Sequence, residues 1–272
     1  MKWQLVPVRS TSTSLLLVVL AGIASAGAVP GKPLASRWYE RREPVMGTEL
    51  QLRIVLVDPA QHARAAQVAD EALAECQRLE DLLSEWKPGS PLGKLNAHPV
   101  EGEVLPDEAR TLLQRALLWS RRSNGAFDPT FASLWGLWRF DPGDAARIPS
   151  AEEAQRKAGL IDHRKVVIDP VTGRVRMTQP GMKLGLGGIA KGYAVDRVAG
   201  LLRRRGFANF FIKLGGELYL GGTRGDRPWI AAIQDPRDPA ATLASLALAD
   251  SAFTTSGDYE HFLIKEDRKS VV

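Results

Sequence analysis

An α+β fold with mixed and antiparallel sheets is predicted from three observations. Helix-like and strand-like stretches do not alternate one for one; helices fall between clusters of strands. The strand-like runs come as hairpins, the plainest being Val166–Ile168 and Arg174–Met177 around Asp169-Pro-Val-Thr-Gly173. No repeat and no long low-complexity linker interrupts the chain, so one compact unit is expected.

The elements follow in order. Residues 1–26 carry Lys2 and Arg9, then an apolar run from Leu15 to Ile23, then Ala24-Ser25-Ala26. This is the pattern of a secretory signal, too short and wrongly flanked for a membrane span. Cleavage after Ala26 is expected, with Ala28 the second choice, which sends the mature chain to the periplasm. No cysteine stands near the cleavage point to carry a lipid. Residues 27–43 then read as a linker and 44–272 as the domain. Thr48–Val57 alternates and is rich in Leu, Ile and Val, a strand. From Pro59 an amphipathic helix sets Val68, Ala72, Leu73, Cys76, Leu79 and Leu83 on one face. Pro106-Asp107 opens a helix that runs to about Arg122 and stops at Asn124-Gly125. Ser150-x-x-Glu153 is a capping-box signature for a shorter one. A helix over Ala190–Arg205 precedes strands near Asn209–Lys213, Glu217–Leu220, Trp229–Gln234, Leu243–Ala249 and Ala252–Thr255. Phe262–Ile264 and Ser270–Val272 look like a hairpin cut off as its return strand begins.

Composition excludes one class of partner. The formal charge is +5, and loss of Lys2 and Arg9 with an acid-free signal lowers it by two, to +3. That is a mild bias and no nucleic-acid footprint; Arg203-Arg204-Arg205 reads as a solvated helix end. The single cysteine, Cys76, cannot form an internal disulfide and reads as a small core residue.

Chemistry concentrates in Gly181-Met-Lys-Leu-Gly-Leu-Gly-Gly-Ile-Ala-Lys-Gly-Tyr-Ala-Val-Asp196. Its glycines allow close approach of backbone to ligand, and the following helix offers free N–H groups and a positive dipole end. A phosphate-bearing molecule fits such a site. Gly185-x-Gly187-x-x-Ala190 matches a loose dinucleotide fingerprint, but about 20 residues on stand Arg203, Arg204 and Arg205 where an acid is needed. A Walker A loop fails as well, because Lys191 is followed by Gly192. Lys191, a cation at a helix start, is unfavourable there unless an anion offsets it.

Six stretches in order complete the pattern: Met46-Gly47-Thr48; Ser84-Glu-Trp86-Lys-Pro-Gly-Ser90 running on to Leu95-Asn96; Gly125-Ala-Phe-Asp-Pro-Thr130 with Leu134-Trp135-Gly136; the glycine loop; Leu214-Gly215-Gly216-Glu217; and Thr255-Ser256-Gly257-Asp258-Tyr259. This set resembles the ApbE family of FAD:protein FMN transferases from about Pro44 to Tyr259. The resemblance implies an ApbE-like (T-fold-like) architecture. It implies FAD as substrate, Mg²⁺ as cofactor, and FMN passing to a threonine hydroxyl of a client protein, such as a membrane-bound redox subunit, with release of AMP. By the same resemblance Met46, Trp86, Ala126, Phe127, Asp128, Gly185 and Lys191 stand at FAD-contacting positions. The Gly188 backbone carbonyl stands at a metal position.

Three departures accompany the match. Trp86 stands where relatives usually have Tyr, and Gly185 where they usually have Asp. The largest one is at the C-terminus, where the family's catalytic base and side-chain metal ligands are expected beyond Val272. None of the four histidines replaces that base on sequence grounds: His62 lies in a helix, His98 and His163 in turns, and His261 along a strand. The catalytic group is therefore left unassigned. The alternative to an FMN transferase is a periplasmic FAD-binding protein or an inactive, truncated family member.

Overall fold

The first two strands, β1 (Trp38–Val45) and β2 (Thr48–Val55), form an antiparallel hairpin closed by Met46-Gly47. Both turn residues have positive φ, 54° and 68°, the left-handed pair that a two-residue hairpin loop requires. A long side chain in that conformation is uncommon, so the turn holds Met46 against its backbone preference. The computed structural model describes residues 38–138, 149–235 and 237–255, with the backbone alone of 239, 262–265 and 268–271.

Residues 38–43, which read as linker, belong to β1. The strand is rich in charge because it lies at a sheet edge, where charged side chains and Pro44 are tolerated. Glu40 receives hydrogen bonds from Arg53, Arg42 and Gln51. Those contacts, Arg53 first, hold its carboxyl down at about 2.

A 3-10 turn at Pro59–Gln61 leads into α1 (His62–Leu83), whose buried face includes Val68, Ala72, Cys76, Leu79 and Leu83 as the periodicity predicts. Burial pushes the Cys76 thiol up to about 12, so it is chemically quiet. Next comes α2 (Pro91–Ala97), a helix the periodicity does not predict. It is too short to show a period, yet Ser90 caps it by accepting from the Gly93 N–H at 2.8 Å, and Pro91 follows at the first helical position.

The chain continues through β3 (Glu103–Val104), α3 (Asp107–Arg122), a 3-10 turn at Pro129–Leu134 and α4 (Ala151–Ala158). The Ser150 hydroxyl accepts from the Glu153 N–H, as its capping signature implies. Then follow β4 (Val166–Ile168), β5 (Arg174–Met177) and α5 (Gly187–Arg204). Beyond α5 lie β6 (Phe210–Leu214), β7 (Glu217–Gly221), β8 (Trp229–Asp235), β9 (Asp238–Leu248) and β10 (Ser251–Thr254). The last pair is β11 (Phe262–Lys265) and β12 (Arg268–Val271), whose four residues each pair antiparallel.

The main sheet has the order β1-β2-β6-β7-β10, antiparallel throughout. A smaller sheet runs β3-β5-β4, and β8 pairs with β9. This is the expected α+β architecture. Leu50, Leu52 and Ile54 of β2 and Phe210 and Ile212 of β6 are buried with the inner faces of α1 and α5 in one core. That core fixes where α5 begins, and α5 in turn positions the glycine loop.

α5 starts at Gly187, three residues before the predicted Ala190. Glycine is a poor helix former, costing about 1 kcal/mol against alanine. Here packing of α5 on α1, β6 and β7 overrides that preference. Lys191 consequently sits in the second turn of the helix, one turn deeper than its sequence context suggests.

Candidate functional site

Two adjoining cavities, about 510 and 530 Å³, meet along the start of α5. Each falls within the size range of small-molecule sites. The first is lined by Trp86, Ala126, Phe127, Asp128, Trp135, Gly185 and Gly188, among others. The second is lined by Met46, Glu80, Trp86, Lys87 and Lys191, among others. Glu85, Trp86 and Gly187 belong to both. All eight residues singled out in the sequence therefore line one two-lobed cleft.

Asn96 anchors the approach to α5. Its side-chain amide donates to the Leu184 carbonyl at 2.8 Å and accepts from the Leu184 N–H at 2.7 Å. The Ser133 hydroxyl accepts from the Lys183 N–H at 2.9 Å. The Gly185 N–H donates to the Pro129 carbonyl at 2.9 Å. Three consecutive residues are thus stitched to parts of the chain 50 or more positions away, and the loop is held in place before any ligand arrives.

The floor of the first lobe explains Gly185. A Cβ on it would lie 2.7 and 2.9 Å from ring atoms of Trp135 and 3.0 Å from the Ala132 Cβ. No side chain fits there, because the Trp135 ring already fills the space. Trp135 stacks on Trp86, with ring centroids 4.1 Å apart and planes 26° from parallel. Trp86 is 68% exposed despite its bulk, and its backbone N–H donates to the Ser84 hydroxyl at 3.2 Å. In the sequence Trp135 stands only as part of the Leu134-Trp135-Gly136 motif. Its packing against Gly185 could not be read from residues 50 positions apart.

Asp128 holds the opposite wall. One carboxylate oxygen accepts from the Thr130 N–H and hydroxyl, at 2.9 and 2.6 Å. The other accepts from the His163 N–H at 2.9 Å and meets its Nδ1 at the same distance. The Thr130 hydroxyl in turn accepts from the Asp162 N–H at 2.8 Å. The side chains of Asp128 and His163 are 7% and 14% exposed. Both oxygens of Asp128 are committed within the protein. Sequence reasoning set His163 aside as a turn residue; no local signal joins it to a partner 35 positions earlier.

Glu85 is the one carboxylate shared by both lobes. It faces the backbone N–H groups of Leu186 and Gly187 at the start of α5 and lies within the field of Lys191, all of which favour its charged form. Burial nevertheless pushes its carboxyl above the ordinary range.

Two expectations lie partly outside the described residues. Of Thr255-Ser256-Gly257-Asp258-Tyr259 only Thr255 is described, and His261 is not. For Mg²⁺, the described residues hold no group of three His, Cys, Asp or Glu side chains that could bind a metal ion. Gly188 is the second residue of α5, and its carbonyl alone does not make a magnesium site.

Sequence and fold both have known counterparts. The model of the ApbE family matches residues 46–271. The FAD:protein FMN transferase of Treponema pallidum is 31% identical over 268 residues, covering 93% of this chain and 72% of that one. The protein of the same name from Vibrio cholerae is 28% identical, covering 89% and 73%. Among solved structures, the ApbE protein of Thermotoga maritima superposes with a TM-score of 0.77 at 29% identity, covering 87% of this chain and 75% of that one. The V. cholerae flavin transferase ApbE gives 0.71 at 25%, covering 82% and 72%. With its glycine loop, its two-lobed cleft and nearly all of its described residues inside that match, this chain belongs to the ApbE family.

Proposed function

We propose that this protein is an FAD:protein FMN transferase that moves FMN from FAD to a threonine hydroxyl of a client protein. The observation that carries the reading is the cleft: two lobes joined at a helix start suit a dinucleotide whose diphosphate lies at the join. The flavin takes the aromatic lobe beside Trp86 and Phe127, and the adenylate half takes the lobe of Met46 and Lys191. Ala126 and Phe127 meet the nucleotide, while Asp128 holds their loop from behind. The acceptor oxygen forms a bond to the flavin-side phosphorus. The bond from that phosphorus to the bridging oxygen breaks, AMP leaves with the bridging oxygen, and the hydroxyl proton passes to solvent. Catalysis of this kind rests mainly on positioning and charge stabilisation. Bound Mg²⁺ would neutralise diphosphate charge, but the described residues hold no cluster of His, Cys, Asp or Glu side chains that fits it.

The test is incubation with FAD, Mg²⁺ and a threonine-bearing acceptor protein, followed by gel detection of covalent flavin fluorescence. FAD that binds but never labels an acceptor would favour a binding protein. Lys191→Ala should weaken FAD binding by about 1.5–3 kcal/mol, the range for a hydrogen bond to a charged group. Calorimetric titration measures it, and unchanged affinity would remove Lys191 from the phosphate site. The proposal extends to location: residues 1–26 direct export to the periplasm and are cleaved, leaving Gly27 or Val29 first. N-terminal sequencing of exported protein checks this, and a retained Met1 would refute it.

A further inference from the structure

Glu85 occupies the place an incoming phosphate needs. α5 has no side-chain cap from its own N-cap residue, Leu186; the Glu85 carboxylate lies against this helix start, where the Leu186 and Gly187 backbone N–H groups favour its charge. It is close enough that a Cβ on Gly187 would lie 3.3 Å from its Oε1. Helix-start N–H groups of this kind are the natural partners of a phosphate. Other charges face the join from several elements. Lys191 comes from α5, and Glu80 of α1 and Lys87 line the same lobe. Lys87 is held by Asp81 at 2.8 Å and Glu80 at 3.6 Å. Asp128, on the far wall, is saturated by Thr130 and His163. Lys191 is the cation whose charge acts on the Glu85 carboxylate, and the two carry opposite charge into the same lobe.

Resting on the reading that the cleft takes FAD, we propose that Glu85 is a specificity-determining residue that selects the internal diphosphate of a dinucleotide against nucleotides ending in a free phosphate. Each phosphorus of an internal diphosphate carries one negative charge. A terminal phosphate carries nearly two at neutral pH, its second pKa being about 6. Beside a fixed carboxylate that extra charge is repelled. At a separation of roughly 5 Å and an intermediate effective dielectric, the repulsion amounts to about tenfold in affinity or more. FAD meets the smaller penalty and ADP and FMN the larger one. Burial also raises the Glu85 carboxyl, so lowering the pH relaxes both sides of the repulsion together.

The experiment is calorimetric titration of the wild-type protein and Glu85→Gln with FAD, FMN and ADP at pH 8. Gln keeps the acceptor oxygen for the helix start, and its melting temperature is recorded alongside. Affinity for ADP and FMN is expected to rise about tenfold in the variant and that for FAD by less, so that the preference for FAD shrinks. In the wild type the same preference should narrow between pH 8 and pH 5, which tests the idea without any substitution. An unchanged FAD-to-ADP ratio in Glu85→Gln, or weaker FAD binding by it, overturns the role of Glu85 while leaving the flavin reading intact. Failure of the wild type to bind FAD overturns that reading and this role with it.

Discussion

Asp128→Ala is expected to destabilise the protein by about 3–5 kcal/mol and to cost flavin binding at least tenfold. The size follows from what the carboxylate holds. Four donor groups converge on it, from Thr130 and His163, at a side chain only 7% exposed. A buried donor left without a partner costs about 1–3 kcal/mol, and alanine strands several at once. The turn at Pro129–Leu134 also loses its N-cap, worth about 1 kcal/mol. Asp128→Asn separates the parts. Its oxygen can still accept from Thr130, but its amide would face the His163 N–H, donor against donor. Asn should therefore lose about half of what Ala loses. Urea denaturation gives the stabilities and titration with FAD the affinities. If Asp128→Ala cost less than 1 kcal/mol yet abolished binding, the carboxylate would be a direct ligand contact and the structural role assigned to it would fail.

That residue marks where sequence reading stops. Asp128 before Pro129 reads by itself as a turn former; only the family resemblance makes it a ligand contact, and its local sequence holds nothing more. Its partner lies 35 positions away, and pairing across such a distance leaves no periodic trace. Elements whose signal is local were legible: the buried stripe of α1, the Ser150 cap, the β4–β5 hairpin. The order of motifs was legible too, because each carries its own glycines, aromatics or turn residues. What was not legible depended on context. β1 looks polar because an edge strand can afford charge. α2 is shorter than the two turns a hydrophobic period needs. α5 absorbs Gly187 and Gly188 because the core beneath it outweighs their intrinsic cost. The cleft shows the same division: Lys191 stands out as a cation at a helix start and Met46 and Trp86 through the family resemblance, whereas Glu85 gains its place only when Leu186 and Gly187 are brought to it.

Gly185→Ala is expected to distort the first lobe, and Trp135 is the reason. The added methyl would sit 2.7 Å from a ring carbon whose neighbour is 2.9 Å away, both inside contact distance. A stacked indole cannot yield as a flexible side-chain end can. The clash therefore displaces the ring and separates it from Trp86. Overpacking of this kind costs about 1–3 kcal/mol, and the lost aromatic stack adds about 0.5–1.5 kcal/mol. Flavin affinity should fall with it, since the lobe's aromatic wall is what moves. Gly185→Asp, the residue the family resemblance leads one to expect, should be worse than alanine here, because it brings more bulk and a charge against the same indole. The cause is separable by a double-mutant cycle. Trp135→Ala alone leaves a cavity and costs stability, but in that background Gly185→Ala should be nearly free and Gly185→Asp tolerated. The contribution of the Trp86–Trp135 pair to the near-UV circular dichroism, taken as the difference from a Trp86→Phe reference, should be lost in Gly185→Ala. If the two substitutions proved additive, the steric coupling would be absent. Gly185 would then owe its identity to the ligand, and the Trp135 ring would be a bystander.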